Sequence, residues 1–363
     1  MGQANPSESL AKIKVVGVGG GGCNAIGRMV KDNIQGIEFL AVNTDAQALA
    51  RCAIPTRIRI GDKLTRGLGV GGNPTLGAEA AEESRDELKE ALRGADMVFI
   101  AAGMGGGTGT GAAPVVAEIA KETGALTVGI ITKPFGFEGA RRRRQADEGA
   151  TRLKEKVDTL IAVTNDRLLD ICDQKVSVET AFRLADDVLR QGITAISDLI
   201  TFPGEINLDF ADVRAIMAEA GAALMGIGYG SGEKRAVDAA HHAIQNPLLD
   251  LSIDGAKGVL LNVTGGPDLT LYEVNQAAAA IGEVVHEDAN IIFGMVTDEK
   301  MEHEVKVTVI ATGFAQPQQQ EQHRDEQIKE LMANAAQDFS DLDIPPFLRR
   351  TNGGKPKART GKF

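Results

Sequence analysis

Five glycines and two threonines fill the seven positions from Gly105 to Gly111 (GGGTGTG). This segment follows an apolar run at residues 97–102, typical of a buried parallel strand, and precedes a predicted helix at residues 112–123. Because few side chains obstruct the loop, several backbone N–H groups and two hydroxyls can approach an anion at the positive end of the helix dipole. The segment therefore predicts a phosphate-binding loop. It lacks the lysine of the P-loop pattern, so main chain and hydroxyls must hold the phosphates.

The chain is acidic and poor in aromatic residues. Its 363 residues allow about two domains. The formal net charge of -11 argues against nucleic acid as a partner, because affinity for nucleic acid comes mainly from lysine and arginine. No apolar run reaches the roughly 18 residues that span a bilayer, and the first residues lack the features of a secretion signal. We therefore expect a cytoplasmic protein without direct membrane insertion.

The three cysteines, Cys23, Cys52 and Cys172, are odd in number and show no C-x-x-C spacing. No histidine cluster lies near them in the sequence. The pattern predicts neither a disulfide framework nor a zinc site, and no other metal site is predicted. We expect each cysteine to be a small buried residue.

Short apolar runs alternate with helical patterns in the first half of the chain. The predicted strands cover residues 13–18, 37–42, 97–102, 126–132 and 159–163, and the predicted helices begin at Asn24 or cover residues 75–92 and 112–123. This order is typical of a doubly wound parallel sheet, which binds ligands at the carboxyl ends of its strands. The unusual residues of the chain fall in the loops at those ends, namely at residues 19–24, 43–45, 67–74, 103–111, 134–138 and 165.

One long helix is predicted over residues 177–202, where apolar residues recur at helical spacing without an internal proline. The next segments predict helices near Phe210 and at residues 234–245 and 271–285, and strands at residues 259–264, 291–296 and 304–312. We therefore expect a flexible N-terminus (1–11), a phosphate-binding domain (12–176), the central helix (177–202), a loop with a helix (203–221), and a smaller α+β domain (222–314).

Beyond Phe314 the sequence turns polar (QPQQQEQHRDEQ) and predicts a disordered linker at residues 315–340, with a short helical stripe as an alternative for its second half. Residues 341–350 (DLDIPPFLRR) then place apolar side chains around two prolines. Such a peptide beyond a linker favours a partner-binding motif, although a terminus folded onto its own body remains the alternative. The end of the chain is basic and could also touch an acidic surface or anionic lipid.

Two further glycine-rich loops accompany the first. The segment from Gly17 to Gly22 matches the dinucleotide fingerprint G-x-G-x-x-G, with Glu38 and Asp45 at the distance of a ribose-binding acid, and alone it predicts a Rossmann fold. A dehydrogenase gives no reason for the loops at residues 67–74 and 105–111. Three such loops at one sheet edge suit a chain of phosphates, so a nucleoside triphosphate is the favoured ligand.

The order of motifs resembles the tubulin/FtsZ family of GTPases, and in particular its filament-forming members of bacterial cell division. GGGTGTG is the family signature, and GGGGCNA, NTDAQAL, TKPFGFEG, NLDFADV and DIPPFLR occur in the family's order from about Ile13 to the tail. The resemblance implies an α/β fold with a doubly wound parallel-sheet GTPase domain, a long central helix, a smaller α+β C-terminal domain and a disordered tail. Its nucleotides would be GTP and GDP, with Mg²⁺ accompanying the triphosphate.

The resemblance also implies which residues bind the nucleotide. Glu138 and Arg142 would hold the ribose, Phe182 would pack on the guanine face, and Asn165 with Asp186 would bond its edge; the neighbouring Asp187 leaves that last assignment open by one residue. The complete set of implied binding residues is Gly20, Gly21, Gly22, Cys23, Asn24, Asn43, Asp45, Gly71, Gly72, Asn73, Gly103, Gly106, Gly107, Thr108, Gly109, Thr110, Glu138, Arg142, Asn165, Phe182 and Asp186.

The resemblance implies that Asn207, Asp209 and Asp212 are catalytic. Acids at a helix start also suit the helix dipole, and from the residues alone a capping role is the alternative. The resemblance implies that this loop meets the γ-phosphate of the next subunit in a head-to-tail homopolymer, where the aspartates orient water. It further implies a cytokinetic ring at the mid-cell division site, and membrane-tethering and regulatory division proteins bound through the segment from Asp343 to Arg350.

Three classes of function stay open from the residues. The favoured one is a GTPase that hydrolyses GTP across a filament contact. A nicotinamide-dependent oxidoreductase would use Gly17 to Gly22, but the second half offers it no catalytic histidine or lysine constellation. A nucleotide-binding scaffold without hydrolysis is the third, and Asp209 and Asp212 argue against it.

Overall fold

The computed structural model describes residues 11–31, 36–171, 177–201, 209–246, 252–298, 301 and 303–314. The chain divides into two units, Met1–Phe314 and Ala315–Phe363, and all described residues belong to the first. The predicted linker and tail, including the segment from Asp343 to Arg350, therefore lie outside the described residues, as do Asn207 and Cys172. Within the described part, no helix has the length and apolar character needed to cross a bilayer.

The described residues form ten strands and twelve α-helices. The strands are β1 (Ile13–Val18), β2 (Ile37–Asn43), β3 (Thr56–Arg59), β4 (Met97–Gly103), β5 (Leu126–Lys133), β6 (Thr159–Thr164), β7 (Gly221–Ser231), β8 (Gly258–Gly265), β9 (Asn290–Thr297) and β10 (Glu304–Thr312). The helices are α1 (Gly19–Lys31), α2 (Ala46–Arg51), α3 (Asp62–Thr65), α4 (Pro74–Glu83), α5 (Arg85–Leu92), α6 (Thr108–Glu122), α7 (Ala140–Lys154), α8 (Asp166–Ile171), α9 (Val178–Thr201), α10 (Phe210–Met217), α11 (Arg235–Ile244) and α12 (Leu271–Gly282), with a 3-10 turn at Gly136–Glu138.

Six parallel strands in the order β3-β2-β1-β4-β5-β6 form the first part of the sheet. Side chains of alternate residues enter two cores, so Val15 packs with α1 and α9 on one face whereas Val16 packs with α4, α5, α6 and α7 on the other. Central strands covered on both faces are apolar along their whole length, as β4 is. The doubly wound sheet predicted from the sequence is confirmed.

The C-terminal part continues the same sheet. β7 pairs in parallel with β6, and the order then runs β7-β10-β8-β9 with β10 antiparallel to both neighbours. α11 and α12 cover one face with an alanine-rich core. α11 approaches β7 closely. A Cβ on Gly228 would lie 2.0 Å from the Ala239 carbonyl oxygen, and a Cβ on Gly230 would lie 1.9 Å from the carbonyl oxygen of Arg235, the first residue of the helix. This is the smaller α+β domain that was expected.

Several predicted bounds were wrong. The helix predicted at residues 75–92 is two helices that meet at Ser84. The helices predicted from Asn24 and at residues 112–123 begin earlier, at Gly19 and Thr108, so the glycine-rich segments themselves form the first helical turns. Glycine has poor helix propensity, and here the packing of the loops overrides it. The long helix is confirmed as α9, whose 24 residues span about 36 Å.

Helix α9 crosses the parallel sheet from one edge to the other. Near its start, Phe182 contacts Phe135, which follows the carboxyl end of β5. At its end, Thr201 lies beside Gly36, which precedes the amino end of β2; a Cβ on Gly36 would be 3.2 Å from Thr201 Cγ2. Whatever follows α9 thus starts at the amino edge of the sheet.

Candidate functional site

Three glycine-rich segments meet at the carboxyl edge of the sheet with their backbones in contact. A Cβ on Gly19 would lie 2.8 Å from Gly109 N, and a Cβ on Gly107 would lie 2.4 Å from the Gly71 carbonyl oxygen. Gly22 leaves even less room, since its Cβ would be 2.1 Å from the Ala101 carbonyl oxygen. Glycine at these positions lets the start of α1, the start of α6 and the loop before α4 form one continuous surface.

A second group of glycines faces open space. A Cβ on Gly20, Gly72 or Gly106 would meet no described atom within 4 Å beyond the adjoining backbone. None of these three has a positive φ, so the fold does not require glycine there. The fold would tolerate a side chain at each of these positions. Its absence therefore serves to leave room for a ligand that approaches the backbone at the starts of α1 and α6.

The two threonines of the signature segment play different parts. Thr110 is fully buried and its hydroxyl accepts a hydrogen bond from Gly105 N at 2.8 Å, so it shapes the loop. Thr108 is partly exposed, and its Oγ1 lies 2.8 Å from Thr44 Oγ1. Of these two threonines, only Thr108 thus presents its hydroxyl at the phosphate cradle, the surface formed by the starts of α1 and α6 and the loop before α4.

Polar side chains from the flanking loops hold the cradle in shape. The Asn43 side-chain Oδ1 accepts a hydrogen bond from Thr44 N at 2.8 Å, the Asp45 carboxylate caps α2, and the Asn73 side chain caps α4. Cys23 is buried, and its thiol donates to the Gly17 carbonyl oxygen at 3.3 Å. The other members of the predicted phosphate set, Gly21, Asn24 and Gly103, lie on the same edge at the start of α1 and the end of β4.

The predicted ribose residues form an ion pair beside the loop that follows β5. Glu138 Oε1 accepts a hydrogen bond from Phe135 N at 2.9 Å, while Oε2 pairs with Arg142 Nη1 at 2.5 Å. The Glu138 side chain is largely buried, whereas the Arg142 side chain is 57% exposed and points from the first turn of α7. The structure therefore brings this pair together.

An aromatic group and an unpaired amide occupy the end of the site near α9. Phe182 is 42% exposed and packs edge-on against Phe135 at 5.5 Å between centroids. Asn165, directly after β6, is buried, and its Oδ1 has no hydrogen-bond partner. A buried acceptor without a partner is costly unless a ligand supplies a donor.

The neighbouring aspartates of α9 differ in their partners. Both oxygens of Asp187 are engaged on its own helix, by Arg190 Nε and Gln191 Nε2, each at 2.6 Å. Asp186 faces α1, where Arg28 Nη2 lies 3.1 Å from Oδ2. Burial raises the pKa of Asp186 to about 6, and the charge of Arg28 acts in the opposite direction. Asp186 is thus the carboxylate with free capacity next to the helix that carries the first phosphate loop.

Asp209 and Asp212 lie away from this edge. Asp209 is the N-cap residue of α10 without a capping side-chain bond, and both carboxylates are exposed and lack an ion pair within the described residues. The helix ends at Met217, whose carbonyl accepts from Thr159 at the amino end of β6. Since α9 also ends at the amino edge, this segment is anchored at the side of the sheet opposite to the cradle. Capping by the Asp209 side chain is not observed.

Sequence reasoning missed four residues of the site: Gly19, Arg28, Thr44 and Gln145. Gly19 and Thr44 sit in motifs that were examined, and Arg28 lies just beyond the GGGGCNA motif, but none of the three carries distinctive chemistry in the sequence. Gln145 lies on α7, which was not predicted, and its Nε2 donates to the Gly72 carbonyl at 3.1 Å. The missed helix has few apolar residues, and its four consecutive arginines from Arg141 to Arg144 are exposed at its start.

The chain matches two family descriptions and several solved structures. Residues 12–173 match the tubulin/FtsZ family GTPase domain, and residues 221–315 match the FtsZ family C-terminal domain. An FtsZ dimer from M. jannaschii is 48% identical, with 85% of this chain and 89% of that chain aligned and a TM-score of 0.81. Two proteins of Haloferax volcanii share the fold: CetZ1 in a GDP-bound monomer (24% identity, 84% and 95% aligned, TM-score 0.73) and CetZ2 in a GTPγS-bound protofilament (21%, 90% and 99%, 0.71).

Proposed function

This chain belongs to the tubulin/FtsZ family of GTPases, and we propose that it assembles head to tail into filaments that hydrolyse GTP at the contact between subunits. The separation of the two halves of the site carries the proposal. The cradle lies at the carboxyl edge of the sheet, and the unpaired carboxylates of Asp209 and Asp212 belong to a segment anchored at the amino edge. A carboxylate on one edge reaches a phosphate on the other edge only in a neighbouring subunit, and such a contact repeats without closing.

Exposed apolar side chains beside the cradle support an interface there. Leu68 is 84% exposed in the loop before α4, and Phe137 is 65% exposed after β5. Both flank the cradle at the carboxyl edge. Burying them against the next subunit would favour association.

Positioning and electrostatics would perform the hydrolysis. The backbone N–H groups at the starts of α1 and α6, with the Thr108 hydroxyl, would bind the phosphate oxygens, and Asp209 and Asp212 of the next subunit would orient the attacking water in line with the leaving group. Mg²⁺, which prefers oxygen ligands, would offset the triphosphate charge, and the unpaired carboxylates fit that donor set. Asn207, in the same segment, would assist them.

Guanine selectivity would come from Asp186 and Asn165. A carboxylate that accepts from N1–H and the exocyclic amine of guanine rejects adenine, which has no such donor pair. We expect Asp186→Asn to lower GTP affinity about 10- to 100-fold, because charge-assisted bonds are lost, and to erase the preference for GTP over ATP. Asp187→Asn is the matched control and should keep both properties. Competition binding with GTP and ATP measures them; equal losses in the two variants would contradict the assignment.

The same carboxylate predicts a pH dependence of GTP binding. The pKa of Asp186 in the free protein is raised to about 6 by burial, so below that pH the carboxyl is increasingly protonated and offers one strong acceptor fewer. GTP affinity of the unmodified protein should fall as the pH drops through about 6, while that of Asp186→Asn should stay flat. Titrations between pH 5 and 8 compare the two; a parallel fall in the variant would assign the effect to another group.

The positions of Glu38 and Asp45, the two candidate ribose-binding acids, do not support the oxidoreductase alternative. Glu38 is the second residue of β2 and pairs with Lys14, so it lies at the amino side of the sheet. Asp45 is occupied in capping α2. A ribose-binding acid of a dinucleotide fold belongs at the carboxyl end of that strand.

In the cell, we propose that the filaments form the cytokinetic ring at mid-cell and that the segment from Asp343 to Arg350 recruits membrane-tethering and regulatory division proteins. Sedimentation with GTP, with GDP and without nucleotide, together with released phosphate, tests the biochemical part. GTP-dependent pelleting with phosphate release supports it. GTP binding without phosphate release under assembling conditions would favour the scaffold alternative instead.

A further inference from the structure

Cys23 and Cys52 form a thiol pair behind the first phosphate loop. Cys52 Sγ donates to the Cys23 carbonyl oxygen at 3.6 Å, and it lies 3.9 Å from the position of a Cβ on Gly27, one turn further along α1. Cys23 is buried, whereas Cys52 is only half-buried.

The surroundings distinguish the two thiols chemically. The pKa of Cys52 is lowered, first by the neighbouring Cys23 thiol and then by the N–H groups of Ile54 and Ala53 and the nearby Arg57 guanidinium. The pKa of Cys23 is raised by the neighbouring Cys52 thiol and by burial. The thiolate is the form that peroxides oxidise. Cys52 is therefore suited to react first, and Cys23 to resolve the product.

We propose that Cys23 and Cys52 are a peroxide-reactive pair that closes into a disulfide and weakens nucleotide binding at the first phosphate loop. The Cys52 thiolate attacks a peroxide oxygen and becomes a sulfenic acid, while the other peroxide oxygen leaves as hydroxide and is protonated to water. Cys23, losing its proton, then attacks the Cys52 sulfur and displaces its hydroxyl as a second water. The protein loses two electrons, and one hydrogen peroxide is reduced to two waters.

The position of Cys23 links this chemistry to the cradle. Its thiol donates to the carbonyl oxygens of Gly17 and Val42 at 3.3 and 3.7 Å, and a disulfide removes this donor. The new bond also draws the first turns of α1 toward the end of α2. The loop tolerates little displacement, because Gly22 packs directly against the backbone of Ala101. The N–H groups that face the phosphates would therefore shift.

The test uses the full chain, reduced and then treated with hydrogen peroxide. Mass spectrometry should find a linked peptide with Cys23 and Cys52, and a fluorescent GTP analogue should bind on the order of ten-fold more weakly, as expected for one lost charge-assisted hydrogen bond. A thiol reductant should restore binding. Cys52→Ser should keep the reduced protein's affinity and turnover and resist peroxide, while Cys172→Ser should respond as the unmodified chain does.

Each contrary result identifies what fails. Oxidation of Cys52 without a linked peptide overturns the pairing. A linked peptide with unchanged GTP affinity overturns the effect on nucleotide binding. If peroxide lowers the GTP affinity of Cys52→Ser as much as that of the unmodified chain, a different cysteine causes the effect. The nucleotide effect rests on the GTP site proposed above, but the disulfide does not, so reduced protein that binds no GTP would refute the proposed function while the linked peptide still reports on the pair.

Discussion

Asp212→Ala is expected to bind GTP as the unmodified chain does and to lose turnover on the order of 100-fold or more, the loss that follows when a positioning group is removed from a phosphoryl-transfer site. Asp212 is exposed in the first turn of α10, and its carboxylate has no partner among the described residues, so its removal should not unfold the protein. GTP affinity stays because the carboxylate is remote from the cradle of its own subunit. Nucleotide binding and phosphate release measure the two quantities separately.

Asp238→Ala is the matched control for this variant. Asp238 is likewise an exposed aspartate in the first turn of a helix, α11, which lies in the C-terminal part of the sheet. It should change neither affinity nor turnover. Asp209→Ala should behave as Asp212→Ala does. If Asp212→Ala kept full turnover, or lost GTP affinity together with turnover, the division of the active site between two subunits would be wrong.

Gly106→Ala is expected to keep the stability of the nucleotide-free protein and to lose GTP affinity by about 100-fold, roughly the cost of the hydrogen bonds to phosphate that a methyl group would block. Apart from the adjoining backbone, no described atom lies within 4 Å of the Cβ position, so the fold has room for the methyl group. With the nucleotide bound, however, no room should remain for this methyl group. Thermal unfolding without nucleotide and equilibrium GTP binding are the measurements.

Alanine substitutions at two other glycines serve as comparisons for Gly106→Ala. Gly107→Ala should lower both stability and affinity, because its Cβ would lie 2.4 Å from the Gly71 carbonyl oxygen. Gly282→Ala, at the end of α12, meets only Ile291 Cδ1 at 4.0 Å and should change GTP affinity not at all. Unchanged GTP affinity in Gly106→Ala would mean that the open face of the signature segment is not the ligand side.

Much of the fold follows from the sequence because its elements carry strong local signals. The run that became β4 is apolar along its whole length and those that became β1 and β5 are mostly so, as expected of buried parallel strands, and the stripe of α9 continues for six turns. α7 was missed because its buried face consists of only four residues among many charges. β7 was missed because the glycines that let α11 approach it remove the apolar alternation that identifies a strand.

The location of the site was predictable from the sequence, but several of its side-chain contacts were not. The loops that meet at the sheet edge follow from topology alone, since parallel strands place their carboxyl ends together. The sequence could not separate Asp186 from Asp187, because adjacent helical residues differ only in the neighbours they face. Arg28 illustrates the same limit, because its ion pair with Asp186 is a product of packing between two helices far apart in the chain. Asn165 was implied as a site residue by the resemblance, but only the packing shows that its Oδ1 has no partner.

The rate of GTP hydrolysis per molecule, measured across a dilution series, tests the central claim most directly. If catalysis requires the cradle of one subunit and Asp209 and Asp212 of the next, turnover per molecule should be near zero below a threshold concentration and rise steeply above it, in parallel with pelleting. Addition of Asp212→Ala to the unmodified chain should lower the rate per molecule, because mixed contacts contain defective sites. A rate per molecule that stays constant down to high dilution would contradict the account.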